Sequence, residues 1–84
     1  MIIKNVISGK EKIIRTFAQL ESLLNGYENL NDFYELIRKA FERGDNLYYC
    51  QNPYVAEINN CTEIIIGKNE SQVREKFYSL QEEI

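Results

Sequence analysis

Apolar and polar positions alternate along this chain in blocks, and each block predicts one element. Ile2, Ile3, Val6 and Ile7 form a short apolar run that closes at Ser8-Gly9, the signature of a strand and its turn. Ile13, Ile14, Phe17, Leu20, Leu23 and Leu24 then recur at helical spacing before Gly26. Ser8 with Glu11 three residues on matches a capping box, which predicts a helix of about four turns. A hairpin continuing from Lys12 to Phe17 is the competing reading, because Ile-Ile-Arg-Thr-Phe is strand-like.

The second helical block is the most informative. Phe33, Leu36, Ile37, Ala40 and Phe41 share one buried stripe, which predicts a helix from about Asp32 to Arg43. Asn31 is its expected N-cap, Leu30 is placed to staple onto the first turns, and Gly44 is its expected stop. The opposite face carries Asn31, Tyr34, Glu35 and Arg38: an aromatic beside a carboxylate, with an amide and a guanidinium. A solvated face that carries one half-buried Tyr is the plain alternative.

Asn46 to Cys50 reads as a strand, Gln51-Asn52-Pro53 as a break, and residues 54–58 as either a strand or a short helix. Asn59-Asn60 signals a turn. Thr62 to Ile66 ends in three consecutive isoleucines, which predicts a central, buried strand. Asn69 then caps a last helix, with Gln72 in capping-box position and Val73, Phe77, Leu80 and Ile84 as its inward stripe. The order is strand, helix, helix, strand, an open segment, strand, helix. It predicts a small two-layer α/β domain over residues 1–84, a three-stranded sheet, parallel or mixed, packed by about three helices. Between the Leu47 and Thr62 strands the connection is about the minimum for a parallel crossover.

Composition changes this picture little. Eighty-four residues, 44% hydrophobic and 27% charged, suit one folded domain with one core. Net charge is −3 and is uneven: residues 1–20 hold four bases against Glu11, and the rest hold six bases against twelve acids. Lys10, Lys12 and Arg15 are too few to make a phosphate-binding patch, so direct nucleic-acid binding is not expected. An acidic surface favours a basic protein partner. No membrane-length apolar run or signal-peptide pattern is present, which predicts a cytoplasmic protein with Cys50 and Cys61 reduced.

The sequence contains no His, and the two Cys alone do not make a zinc site. There is no Gly-rich phosphate loop or nucleophile elbow. Glu28, Asp32 and Glu35 are near one another, but Arg38 and Lys39 offer Glu35 ordinary helical partners. The chain is therefore expected to be no enzyme and to need no cofactor or metal. Six Tyr in 84 residues are the other notable feature. Tyr and Arg are enriched at binding hot spots, and Tyr27 and Tyr34 are the pair expected to face a partner.

Tyr27, Glu28-Asn29-Leu30, Asn31 and Tyr34-Glu35 resemble the loop and second helix of the barstar-like family, intracellular inhibitors of a secreted ribonuclease. Asn5 to Gly9 resembles that family's first strand and turn, and Ile14 to Leu24 resembles its first helix. The resemblance covers about the first half of the chain. It implies a small acidic cytoplasmic inhibitor, monomeric when free, that blocks a basic ribonuclease. Glu35 would imitate a substrate phosphate, Tyr34 would pack beside it, Asn29 and Leu30 would lie against the enzyme, and Tyr27 would flank the loop. The family is usually acidic where this chain has Asn31, and Arg38 adds a positive charge to the same face. The family also closes on a strand after its last helix, whereas this chain ends on a predicted helix. A second reading is a phage or mobile-element protein, anti-CRISPR-like, that inhibits a defence nuclease through Glu57, Glu63, Glu70, Glu75, Glu82 and Glu83. A third is a structural module that self-associates through its apolar helix stripes.

Overall fold

A computed structural model of the chain describes residues 1–55 and 61–82. Its elements are β1 (Ile2–Asn5), β2 (Glu11–Ile13), α1 (Phe17–Leu24), a 3-10 turn (Leu30–Phe33), α2 (Tyr34–Arg43), β3 (Leu47–Gln51), β4 (Ile64–Gly67) and α3 (Glu70–Glu82). Residues 53–55 are helical. The strands form one mixed sheet in the order β2-β1-β3-β4. β1 pairs antiparallel with β2 and parallel with β3, and β3 pairs antiparallel with β4.

Strand alternation divides the interior in two. Ile3, Leu47, Ile64 and Ile66 point to one face, where α1 and α2 supply Leu20, Leu24, Ile37 and Ala40. Cys50 and Ile65 point to the other face, where Val6 and α3's Val73 meet them. Helices therefore cover both faces of a four-stranded sheet. The expected two layers become three, and the expected three strands become four. The α/β class holds.

The extra strand comes from the start of the first helical block. Asn5 Oδ1 accepts the Ile7 and Ser8 N–H groups at 2.9 and 3.0 Å, and Gly9 adopts φ +78°. That turn sends Glu11–Ile13 back along β1, so the hairpin reading holds as far as Ile13, whereas Phe17, its expected end, opens α1; Ser8–Glu11 is no capping box. The working capping box is Thr16 with Gln19. The Gln19 N–H donates to Thr16 Oγ1 at 3.2 Å, and Gln19 Oε1 accepts the Thr16 N–H at 3.2 Å. Ile13 and Ile14, β-branched and ahead of that box, stay extended.

At the second helix the expected cap also moves. Asn31 lies inside the 3-10 turn, and α2 starts at Tyr34 with no side-chain cap. Its end is as expected: Gly44 takes φ +74°, and its N–H reaches back to the Ala40 and Phe41 carbonyls. Asn69 Oδ1 accepts the Gln72 N–H at 3.0 Å at the start of α3. The open 54–58 segment begins helical, since residues 53–55 are so; residues 56–60, including the Asn59-Asn60 turn, and Ile84 lie outside the described residues.

The isoleucine run forms an edge strand rather than a central one. β4 is last in the sheet order, yet Ile64, Ile65 and Ile66 are all buried. A continuous apolar run reports cover on both faces, which helices provide here, and says nothing of neighbours on both edges. β4 also runs antiparallel to β3, so no parallel crossover is needed. Its outer edge is closed at its start by a loop. The Glu28 N–H donates to the Thr62 carbonyl at 2.8 Å. The Asn29 side chain accepts the Ile64 N–H at 2.8 Å and donates to the Ile64 carbonyl at 3.1 Å. One amide thus stands in for a neighbouring strand at Ile64.

Candidate protein-binding face

α1 and α2 pack Leu20, Leu24, Ile37 and Ala40 inward, which leaves their remaining side chains facing one another across the outside. Phe17 and Glu21 are one turn apart on α1, and Tyr34 and Arg38 are one turn apart on α2. The Tyr34 hydroxyl donates to Glu21 Oε2 at 2.9 Å. The Phe17 ring meets Tyr34 edge-on at 5.7 Å and Phe41 at 5.6 Å. The Arg38 guanidinium lies 5.3 Å from the Tyr34 ring centre and 5.5 Å from that of Phe17, within cation–π range of both. Tyr34 first, then Glu42 and Glu21, raises the Arg38 pKa further above its usual value.

Arg38 and Tyr34 divide two shallow hollows. One, of about 450 Å3, lies between α1 and the 3-10 turn and is lined by Glu21, Ser22, Asn25, Leu30, Asn31 and Tyr34. The other, of about 250 Å3, is lined by Phe17, Arg38, Phe41 and Glu42. The first is lined mostly by polar side chains, and the second sets two Phe rings beside Arg38 and Glu42.

The seven residues singled out from the sequence separate into three groups. Leu30, Asn31, Tyr34 and Arg38 come together on this face. Glu35 lies beside it, its side chain 80% exposed and paired with Lys39 at 2.9 Å. Lys39 holds the Glu35 carboxyl below its usual pKa. Tyr27 and Asn29 turn toward the sheet. Tyr27 packs against the first core cluster, and burial raises its hydroxyl pKa, with Tyr49 and Cys50 adding to the shift. The Asn29 amide is occupied by Ile64.

Phe17, Glu21, Ser22, Asn25, Phe41 and Glu42 complete the face and were not legible as site residues. Phe17 and Phe41 read as core stripe, and only the packing of α1 on α2 turns their edges outward. The acidic positions of the second reading are partly spent. Glu70 pairs with Lys4 at 2.7 Å and with Arg74 at 3.3 Å, while Glu57 and Glu83 lie outside the described residues. Cys50 is buried and free, and burial pushes its thiol up to about 11. Cys61 is also free and half-buried. Among the described residues, no group of three or more His, Cys, Asp and Glu side chains is placed to hold a metal. Nor is any helix among them long and apolar enough to cross a membrane.

Topology and packing define a small α/β domain in which a mixed four-stranded sheet lies between two helical layers. Protein-family models, curated proteins and solved structures give no match to this chain.

Proposed function

We propose that the chain is a protein inhibitor that binds a basic enzyme through the outer face of α1 and α2. The observation that carries this reading is the Phe17–Tyr34–Arg38 stack tied to Glu21. Immobilising a flexible side chain on binding costs about 0.5–1.5 kcal/mol in lost rotamer freedom. Here Tyr34 is already held by a hydrogen bond to Glu21 and an edge contact with Phe17, and Arg38 by two aromatic rings. Preorganised Tyr and Arg beside shallow hollows are the usual makings of a binding hot spot.

The enzyme class follows from charge and from the resemblance of Tyr27 to Glu35 to the barstar-like family. Residues 17–43 hold Glu21, Glu28, Asp32, Glu35 and Glu42 against Arg38, Lys39 and Arg43, a balance of −2. A basic ribonuclease fits that surface, with Glu35 as the carboxylate offered to its phosphate site. Lys39 is the competitor Glu35 must leave, and their exposed pair is weak enough to break. Support from the resemblance is confined to the first half of the chain, and the mixed sheet departs from the three-stranded parallel sheet that the resemblance implies.

Pull-down from source-cell extract with wild type and Glu35→Lys as paired baits tests the reading. A small basic nuclease held by the wild type and released by the variant is expected, and added wild type should stop its cleavage of RNA. Identical retention by both baits refutes it.

A further inference from the structure

Among the described residues, nothing covers the edge of the sheet opposite β4 as the Glu28–Asn29 loop covers that one. Asn5 donates its N–H to the Lys10 carbonyl at 2.9 Å, and Ile14 donates its N–H to the Met1 carbonyl at 2.9 Å. Residues 10, 12 and 14 therefore turn their backbone groups toward β1, and Glu11 and Ile13 turn theirs to the open edge. All three residues of β2 are exposed. Ile13 is 63% exposed and stands opposite Ile2, itself 37% exposed, on one face of the sheet. An edge strand with free backbone groups and a β-branched apolar side chain in water is a pairing template.

We propose that the edge segment of residues 11–15, β2 and the two residues after it, pairs antiparallel with the same segment of a second copy, centred on Ile13, to make one continuous eight-stranded sheet across a two-fold axis. Symmetry and charge select this occupant and this register. A two-fold axis sets residues of the same sheet face opposite one another. Centred on Glu11, the pairing opposes two carboxylates; centred on Lys12, it opposes two ammonium groups. Centred on Ile13, it sets the two Ile13 side chains together and brings Glu11 of each copy opposite Arg15 of the other. Lys12 then lies opposite Ile14 rather than opposite a charge. Ile2 and Ile13 of one copy continue into Ile13 and Ile2 of the next, a row of four isoleucines along one face. The two outward-facing Ile13 backbones exchange N–H and carbonyl groups directly. The Arg15 N–H takes no part, because Gln19 Oε1 already accepts it at 2.7 Å.

So short a strand buries little area, at the low end of interface sizes, where weak and transient associations lie, so a dissociation constant in the micromolar range is expected. The chain is then a monomer when dilute and a dimer when concentrated. Sedimentation equilibrium between about 1 and 500 µM, with reductant present so that Cys61 forms no cross-link, tests this. The weight-average mass of the wild type is expected to rise from 9.9 kDa toward twice that value. Ile13→Lys, a change at an exposed position, should raise the dissociation constant at least about tenfold, with its monomer still folded by circular dichroism. Glu11→Arg should weaken the dimer, and adding Arg15→Glu should restore it. A wild type that stays at 9.9 kDa throughout, or an Ile13→Lys variant that dimerises equally well, overturns the proposal. Dimerisation unaffected by Glu11→Arg overturns the register and with it the argument for a second copy.

Discussion

Replacing Asn29 by Ala removes both hydrogen bonds that close the β4 edge at Ile64. The amide is part-buried, its contacts at 2.8 and 3.1 Å reach a residue 35 positions away, and the Ile64 side chain is fully buried. A typical hydrogen bond contributes about 0.5–1.5 kcal/mol net, and a donor left unsatisfied adds to the loss. Water can reach the outer edge and recover part of it, so the expected destabilisation is about 1–3 kcal/mol. For a domain of this size that corresponds to a fall in Tm of roughly 4–8 °C per kcal/mol. Urea unfolding followed by circular dichroism should show a lower midpoint with an unchanged slope. Amide exchange should accelerate first at Ile64, where the edge opens. Asn29→Asp keeps the acceptor for the Ile64 N–H but sets a carboxylate against the Ile64 carbonyl, so it should not rescue. An Asn29→Ala variant within about 0.5 kcal/mol of wild type would refute the edge-closing role. It would leave the amide free for the partner contact that the sequence alone suggested.

The proposed binding face predicts that Tyr34→Ala and Glu35→Lys each weaken nuclease binding by at least about 2 kcal/mol in titration calorimetry, a hot-spot magnitude. The urea midpoint of Glu35→Lys should stay near wild type, because Glu35 gives up only an exposed ion pair, whereas Tyr34→Ala also loses the edge contact with Phe17 and should be destabilised by about 1 kcal/mol while still folding. Acid should destabilise the fold through Glu70, whose carboxyl Lys4 holds below the usual 4.5. A depressed carboxylate stabilises the fold at pH values above its unfolded pKa and loses that contribution as pH falls through the folded one. Urea midpoints measured from neutral pH down through that range should therefore fall less steeply for Glu70→Gln than for wild type. A thiol reagent at pH 8 should modify Cys61 well before Cys50: burial raises both thiols, but Cys50 is fully buried and pushed up to about 11, whereas Cys61 is only half-buried. Equal rates for the two would refute the packing of Cys50 beneath α3.

Several features of this protein were written in short-range pattern. The stripe from Phe33 to Phe41, the stop at Gly44 and the Asn69 cap each depend on residues within one or two turns, and each appears where the spacing put it. The α/β class follows from the same periodicities. Tyr34 and Arg38, one helical turn apart, could be assigned to one face for that reason alone.

Other features depended on partners far along the chain. Ile13 and Ile14 satisfy a helical stripe and a strand equally well, and the Asn5 turn together with the Thr16–Gln19 box decided for the strand. The isoleucines of β4 declared burial on both faces, but apolar character carries no information about which edge has a neighbour. Helical layers on both faces let an edge strand look central. Asn29 and Tyr27 are polar side chains in a polar loop, and nothing local distinguishes an amide facing a partner from one closing a sheet edge 35 residues away. Phe17 reads as core until α2 packs across it and leaves its edge to Tyr34 and Arg38. Periodicity fixes which way a side chain leaves its own element; what it meets there is decided by tertiary packing, because that contact is made by residues whose spacing along the chain has no period.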